Sequence, residues 1–169
     1  MDAIEAIMTR RSVRRFRDAP VPEQVVRTLL EAAMAAPSAG DQRDWHFVVI
    51  DDRSVLERVP DVHPYASMVP DAPLAILVCG DLSRESHAGY WVQDCAAATE
   101  NLLLAARALG LGAVWLGVYP REDRVAGLRR LLSLPEHVVP LALVPVGHPA
   151  QDQGPEDRFD ATKVSRNRW

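Results

Sequence analysis

The stretch Tyr90-Trp91-Val92-Gln93-Asp94-Cys95-Ala96-Ala97-Ala98-Thr99-Glu100-Asn101-Leu102-Leu103-Leu104-Ala105-Ala106-Arg107-Ala108-Leu109 decides the fold. It holds no Gly or Pro and is dense in Ala and Leu, which predicts one long helix. Its apolar and small residues run nearly all the way round, so the helix is packed on several sides, at the centre of a domain or in a subunit interface. Gly110-Leu111-Gly112 stops it, because glycine accepts the left-handed conformation of a helix end, and Ala113 to Val118 then reads as a strand.

Working outward, Leu74 to Cys79 between Pro73 and Gly80, and His46 to Ile50, are compact apolar runs that read as strands buried on both faces. Arg121 to Leu132 is a further amphipathic helix. Val138 to Val146 is a last strand, which Pro140 and Pro145 push toward an edge or a bulge because each removes a ladder donor. Toward the N-terminus, Asp2 caps a short helix with Ile4, Ile7 and Met8 on one face. Pro22 opens another, with Val25, Val26, Leu29, Leu30, Ala33 and Met34 as its buried stripe, ended by Pro37-Ser38-Ala39-Gly40. About four strands alternate with four or five helices, which indicates helices packed on a sheet.

At 169 residues the chain holds one full core, and residues 1–169 read as a single domain. Its balance of 48% hydrophobic and 25% charged residues excludes a disordered chain and a membrane protein. The acidic start, Met1 to Glu5, lacks an apolar signal core, which predicts a cytoplasmic protein. A formal charge of −4 argues against general nucleic-acid binding. Cys79 and Cys95, like the five scattered histidines, have no metal-ligand or disulfide-framework spacing.

Three segments carry chemistry. Arg10-Arg11-Ser12-Val13-Arg14-Arg15-Phe16-Arg17 puts five guanidinium groups within eight residues. At the end of a helix they could converge on one anion through paired, charge-assisted hydrogen bonds, or they could simply complement the helix dipole in water. Pro37-Ser38-Ala39-Gly40-Asp41-Gln42-Arg43-Asp44-Trp45 is a loop of turn formers that could lay amides along a polar ligand or be an ordinary helix-to-strand turn. Gly110 to Gly117 lacks the dinucleotide fingerprint and precedes a strand, which rejects a Rossmann site. Gly117 ends that strand, where a missing side chain admits a flat ligand or marks a bulge. No nucleophile triad, carboxylate pair or phosphate loop stands out, so a cofactor-borne chemistry is attractive.

Taken in this order, the three segments resemble the nitroreductase family of FMN enzymes over nearly the whole chain. The resemblance implies an α+β fold with a mixed central sheet of about four strands flanked by helices, and a homodimer that exchanges C-terminal arms, residues 148–169. It implies that Arg10 and Ser12 contact the FMN phosphate, that Arg11 supports it, and that Arg14 lies toward the pyrimidine edge of the flavin. Pro37, Ser38, Ala39, Gly40 and Gln42 correspond to a loop that reaches the flavin of the opposite subunit. Trp115, Leu116 and Gly117 correspond to the strand end that offers amides to the ring, and Arg158 to a late phosphate arginine. The chain departs from the family pattern at Asp41 and Asp44, where asparagine and proline are usual, at Arg43, and at Glu156 and Asp157, where basic residues are common. The implied activity is reduction of a nitroaromatic, quinone, activated alkene or flavin by NADH or NADPH in a two-step ping-pong hydride transfer. Rival readings are a specialised relative (a dehalogenase, a dehydrogenase or a flavin-fragmenting enzyme), a flavin-storing protein without turnover, and a flavin-free anion-binding module.

Overall fold

A computed structural model describes residues 1–151 and 153–169. Its long helix, α4 (Trp91–Ala108), follows α1 (Ala3–Thr9), α2 (Glu23–Met34) and α3 (Arg53–Leu56), and precedes α5 (Glu122–Leu131). The strands are β1 (Trp45–Ile50), β2 (Leu74–Asp81), β3 (Gly112–Ala113), β4 (Leu116–Gly117) and β5 (Val138–Gly147). Helix boundaries follow local chemistry. The Asp2 carboxylate accepts from the Glu5 N–H at 2.8 Å and starts α1. α4 ends in a Schellman motif: Gly110 has φ +75°, its N–H donates to Arg107 O at 3.1 Å, and the Leu111 N–H reaches back to Ala106 O at 2.8 Å.

The strand order is β1-β2-β5-β3, with β4 also on β5, and every pair of named strands is antiparallel. The expected mixed sheet is thus corrected to an antiparallel one of five strands. The crossover through α4 does make β2 run the same way as β3 and β4, but β5 inserts between them. Among the described residues, parallel pairing survives only at the isolated bridge of Ser12 with Ala113. β5 is therefore central, not an edge. Its prolines are accommodated by a register shift opposite Val78 and Cys79, beside Pro140, and by the break between β3 and β4, opposite Pro145. That break, at Val114 and Trp115, also splits the single strand expected from Ala113 to Val118.

Helices cover both sheet faces, which is why β2 and β5 read as nearly unbroken apolar runs. Leu74, Ile76, Val144 and Val146 pack beneath α2 and α4, while Ala75, Leu77 and Leu143 pack against Leu56, Val59 and Leu128 on the other side. β1, expected to be buried on both faces, is instead a half-exposed edge. The apolar face of α1 is also uncovered: Ile4, Ile7 and Met8 are 69%, 52% and 61% exposed, and only Ala6 is buried. Beside it runs a groove of about 360 Å³ lined by Ala6, Ile7, Ala32, Leu104 and Ala108. No helix among the described residues is long and apolar enough to cross a membrane.

Candidate functional site

The arginine segment leaves α1 at Arg10, whose ψ of 131° turns the chain extended. Val13 N–H then donates to Ala113 O at 3.0 Å, laying the segment along β3. This approach requires Gly112, since a Cβ there would stand 2.6 Å from Val13 Cγ1. Further on, Arg17 N–H bonds His148 O and Ala150 N–H bonds Arg15 O, so the start of the C-terminal arm runs beside the same segment.

Between segment, arm and α4 lies a cavity of about 300 Å³ lined by Arg10, Arg11, Arg17 and Arg107 over a floor that includes Leu103 and Leu111. No carboxylate lines it among the described residues. Arg10 is steadied by Glu100 at 3.6 Å and Arg11 by Gly154 O at 2.6 Å and Glu156 at 3.5 Å. Arg107 is held through Nε on the Thr9 hydroxyl at 3.0 Å, which leaves its two terminal nitrogens free of protein partners among the described residues. Four guanidiniums on an apolar floor form a donor set for a phosphate, each bond to a charged group contributing about 1.5–3 kcal/mol. The structure thus brings Arg10 and Arg11 together but adds Arg17 and Arg107. Ser12 and Arg14 do not line this cavity, since alternation along an extended segment turns them away from Arg11 and Val13. Arg158 is exposed, and its guanidinium grips Glu156 at 2.8 Å, the same carboxylate that meets Arg11.

Gly117 ends β4 with open space on its Cα, nothing lying within 4 Å of the point where a Cβ would stand. Val118 N–H donates to Leu141 O on β5, so the Gly117 carbonyl, in the same peptide, points away from the sheet. In an extended strand a residue's N–H and C=O share a side, which leaves the Gly117 N–H on that open edge. Leu116 is buried in the core, so only its backbone faces the site, while Trp115 is 36% exposed at the strand break.

The loop after α2 is stiffer than its composition suggests. Gly40, Asp41 and Arg43 all have positive φ, and Arg43 N–H donates to Ser38 Oγ at 3.0 Å. Asp41 and Arg43 pair with each other at 2.7 and 2.9 Å, which holds the Asp41 carboxyl below its ordinary range. Two of the loop's polar groups are already bonded within the chain. The Gln42 amide is saturated: Nε2 donates to Asp44 and Asp94 at 2.9 and 2.7 Å, and Oε1 accepts from the Ser86 and His87 N–H groups, each at 2.9 Å. The Ala39 N–H is likewise spent on Asp94 at 3.0 Å. Pro37 and Gly40 are exposed and the Ser38 hydroxyl keeps its proton to donate. Asp44 is fully buried with Oδ1 lacking any partner, and burial, followed by the neighbouring Asp94, pushes its carboxyl up to about 6.

The loop contacts α4 at Asp94 and the cavity contacts it at Arg107. Thirteen residues of helix separate the two by about 20 Å. A model of the nitroreductase family matches residues 7–63 and 60–148, which include the arginine segment, the loop and the Gly117 strand end. The chain belongs to the nitroreductase family. It is 55% identical over 169 residues to a provisionally named NADH dehydrogenase/NAD(P)H nitroreductase of Methanothermobacter thermautotrophicus, covering 100% of this chain and 88% of that one. A crystal structure of a provisionally named NADH dehydrogenase/NAD(P)H nitroreductase from Parabacteroides distasonis shares 42% identity at a TM-score of 0.95, over 99% of this chain and 98% of that one. A provisionally named nitroreductase from Desulfovibrio desulfuricans, solved in complex with FMN, shares 32% identity at a TM-score of 0.86, over 100% and 98%. Within this nitroreductase chain the residues that sequence reasoning missed are Arg107, a lone cation in an otherwise apolar and small-residue helix end, and the set around the Gly117 carbonyl described below.

Proposed function

We propose that this nitroreductase-family chain is an FMN-dependent oxidoreductase that uses NADH or NADPH to reduce a small organic acceptor, working as a homodimer. The observation that carries the reading is the four-arginine cavity, anchored on the same β3–β4 stretch whose far end, Gly117, is open to a flat ring. Both halves fit the cofactor: guanidiniums suit its phosphate, and a strand end without a side chain suits its ring. Arg10 and Arg11, with Arg17 and Arg107, hold the phosphate. Ser12 and Arg14, on the other side of the segment, are left for the ribityl chain and the pyrimidine edge, and Arg158 acts through Glu156. FMN held there would supply the redox chemistry, two-step ping-pong hydride transfer between a nicotinamide donor and a small organic acceptor. The protein's part is to bind, orient and offer charge and amides near Trp115, Leu116 and Gly117. No side chain is required as an essential acid or base.

The dimer is supported by two features. The uncovered face of α1 and its groove form an apolar patch of the kind that marks a partner surface. The loop with Pro37, Ser38 and Gly40 lies about 20 Å along α4 from the chain's own cavity, a spacing that suits service to a second subunit. The arm fits this view, since Phe159, Val164 and Trp169 are exposed on the single chain. We read residues 1–169 as one FMN-binding domain, with 148–169 as that arm.

The test is an absorption spectrum of the purified protein with NADH and NADPH added anaerobically in turn. Bleaching of bound flavin, with recovery on adding a quinone or nitroarene, is expected. A protein that cannot take up FMN overturns the reading, and flavin that stays oxidised with both donors points to storage.

A further inference from the structure

The Gly117 carbonyl is unusually well held. It accepts from His63 Nε2 at 3.0 Å and from Arg124 Nη1 at 2.7 Å. His63 is 1% exposed and its Nδ1 accepts from the Tyr65 N–H at 3.3 Å, so its ring is fixed as the tautomer with the proton on Nε2. The Arg124 guanidinium stacks over the Tyr65 ring, 5.3 Å from its centroid, and the Tyr65 side chain is 67% exposed. Two elements distant in sequence, the turn at 62–66 and the first turn of α5, therefore converge on one peptide group.

The location of Arg124 is informative. It is the third residue of α5, where the positive end of the helix dipole disfavours a cation. Among the described residues it makes no ion pair, and its Nε is buried without a partner. Helix stability does not explain it. What Arg124 does is place a guanidinium, without an ion-pair partner among the described residues, at the strand edge toward which the Gly117 N–H also points.

We infer that Arg124, seated by Tyr65 and joined by His63 on the Gly117 carbonyl, is a positioning residue that fixes the ring-contacting peptide and sets the reduction potential of the bound flavin. The inference rests on the proposed assignment of Gly117 to the ring. A fixed cation at this edge favours the added negative charge of the reduced cofactor over the neutral oxidised one. Oxidised FMN, held mainly by the arginine cavity, is little affected.

The experiment measures the potential of FMN bound to wild type, Arg124→Met, Arg124→Lys and Tyr65→Ala, by equilibration with a reference dye, together with the dissociation constant of oxidised FMN. Arg124→Met is expected to weaken binding of reduced relative to oxidised FMN about tenfold, a fall of about 30 mV for a two-electron couple. Arg124→Lys should restore most of that fall, and the surface change Tyr65→Ala should give a smaller fall in the same direction while oxidised FMN binds as in wild type. An unchanged potential in Arg124→Met and Tyr65→Ala overturns this inference and leaves the proposed function standing. Wild type that binds no FMN overturns both.

Discussion

Asp44 is the residue whose environment makes the sharpest claim. Its carboxylate is buried, one oxygen accepts from Gln42 Nε2, the other has no partner, and Asp94 shares the same amide. With its carboxyl raised from 3.8 to about 6, the ionised form is disfavoured in the folded state. The contribution to stability is therefore full below the unfolded value and lost as pH rises through about 6. Full ionisation costs about 3 kcal/mol, from roughly two pKa units at about 1.36 kcal/mol each. Asp44→Asn keeps an acceptor for Gln42, removes the charge and turns an NH₂ toward Asp94. At pH 8 the variant is expected to be more stable than wild type by up to about 3 kcal/mol. On lowering the pH to 5 wild type should regain about 1.4 kcal/mol of this gap, and about 2.4 by pH 4. Comparison of the two proteins matters, because His63 works the other way: burial lowers its affinity for a proton, so its contribution is present above the ordinary histidine range and lost on acidification. Urea unfolding of both proteins across pH 4–8 cancels that shared background. A gap that stays constant to within about 0.5 kcal/mol would show that Asp44 titrates like an exposed carboxylate and that its burial has been misjudged.

Arg107→Leu is expected to raise the dissociation constant of FMN about tenfold or more, from the loss of one charge-assisted bond, as read by flavin fluorescence titration; unchanged affinity would remove Arg107 from the clamp. Gly112→Ala should destabilise the fold by about 1–3 kcal/mol by thermal or urea unfolding, because the new methyl presses on Val13 and lifts the arginine segment from β3. Gly40→Ala should cost about 1–2 kcal/mol, from its positive φ and a Cβ that would sit 2.2 Å from His87 Cε1, and wild-type stability in this variant would mean that the loop relaxes freely. Ile7→Glu, on the uncovered face of α1, should shift sedimentation toward monomer; an unchanged assembly state would place the subunit contact elsewhere.

What the sequence revealed and what it concealed divide along physical lines. α4, its Schellman end and the Asp2 cap were legible because each depends on residues within one or two turns of one another. The apolar runs announced β2 and β5, but not their order, since nothing local says that β5 will insert between β2 and β3 and complete the sheet antiparallel. The same limit governs the site. Arg10 and Arg11 stood out as a dense cluster, whereas Arg107 joins them from α4 and His63 and Arg124 meet at Gly117 from separate elements. Gln42 shows the complementary limit: a polar residue in a loop suggests an amide facing solvent, but in the folded chain it bonds Asp44, Asp94, Ser86 and His87, none of which its local sequence announces as a set. The clearest traces of these long-range arrangements are residues that defy their local setting: Arg124 at the wrong end of a helix and Asp44 buried at the entrance to a strand. Such violations are retained where a tertiary role offsets the local cost, so charge placed against local preference is the sequence-level signal from which Arg124 could have been found, whereas Arg107, a cation in the last turn of a helix, gives no such signal.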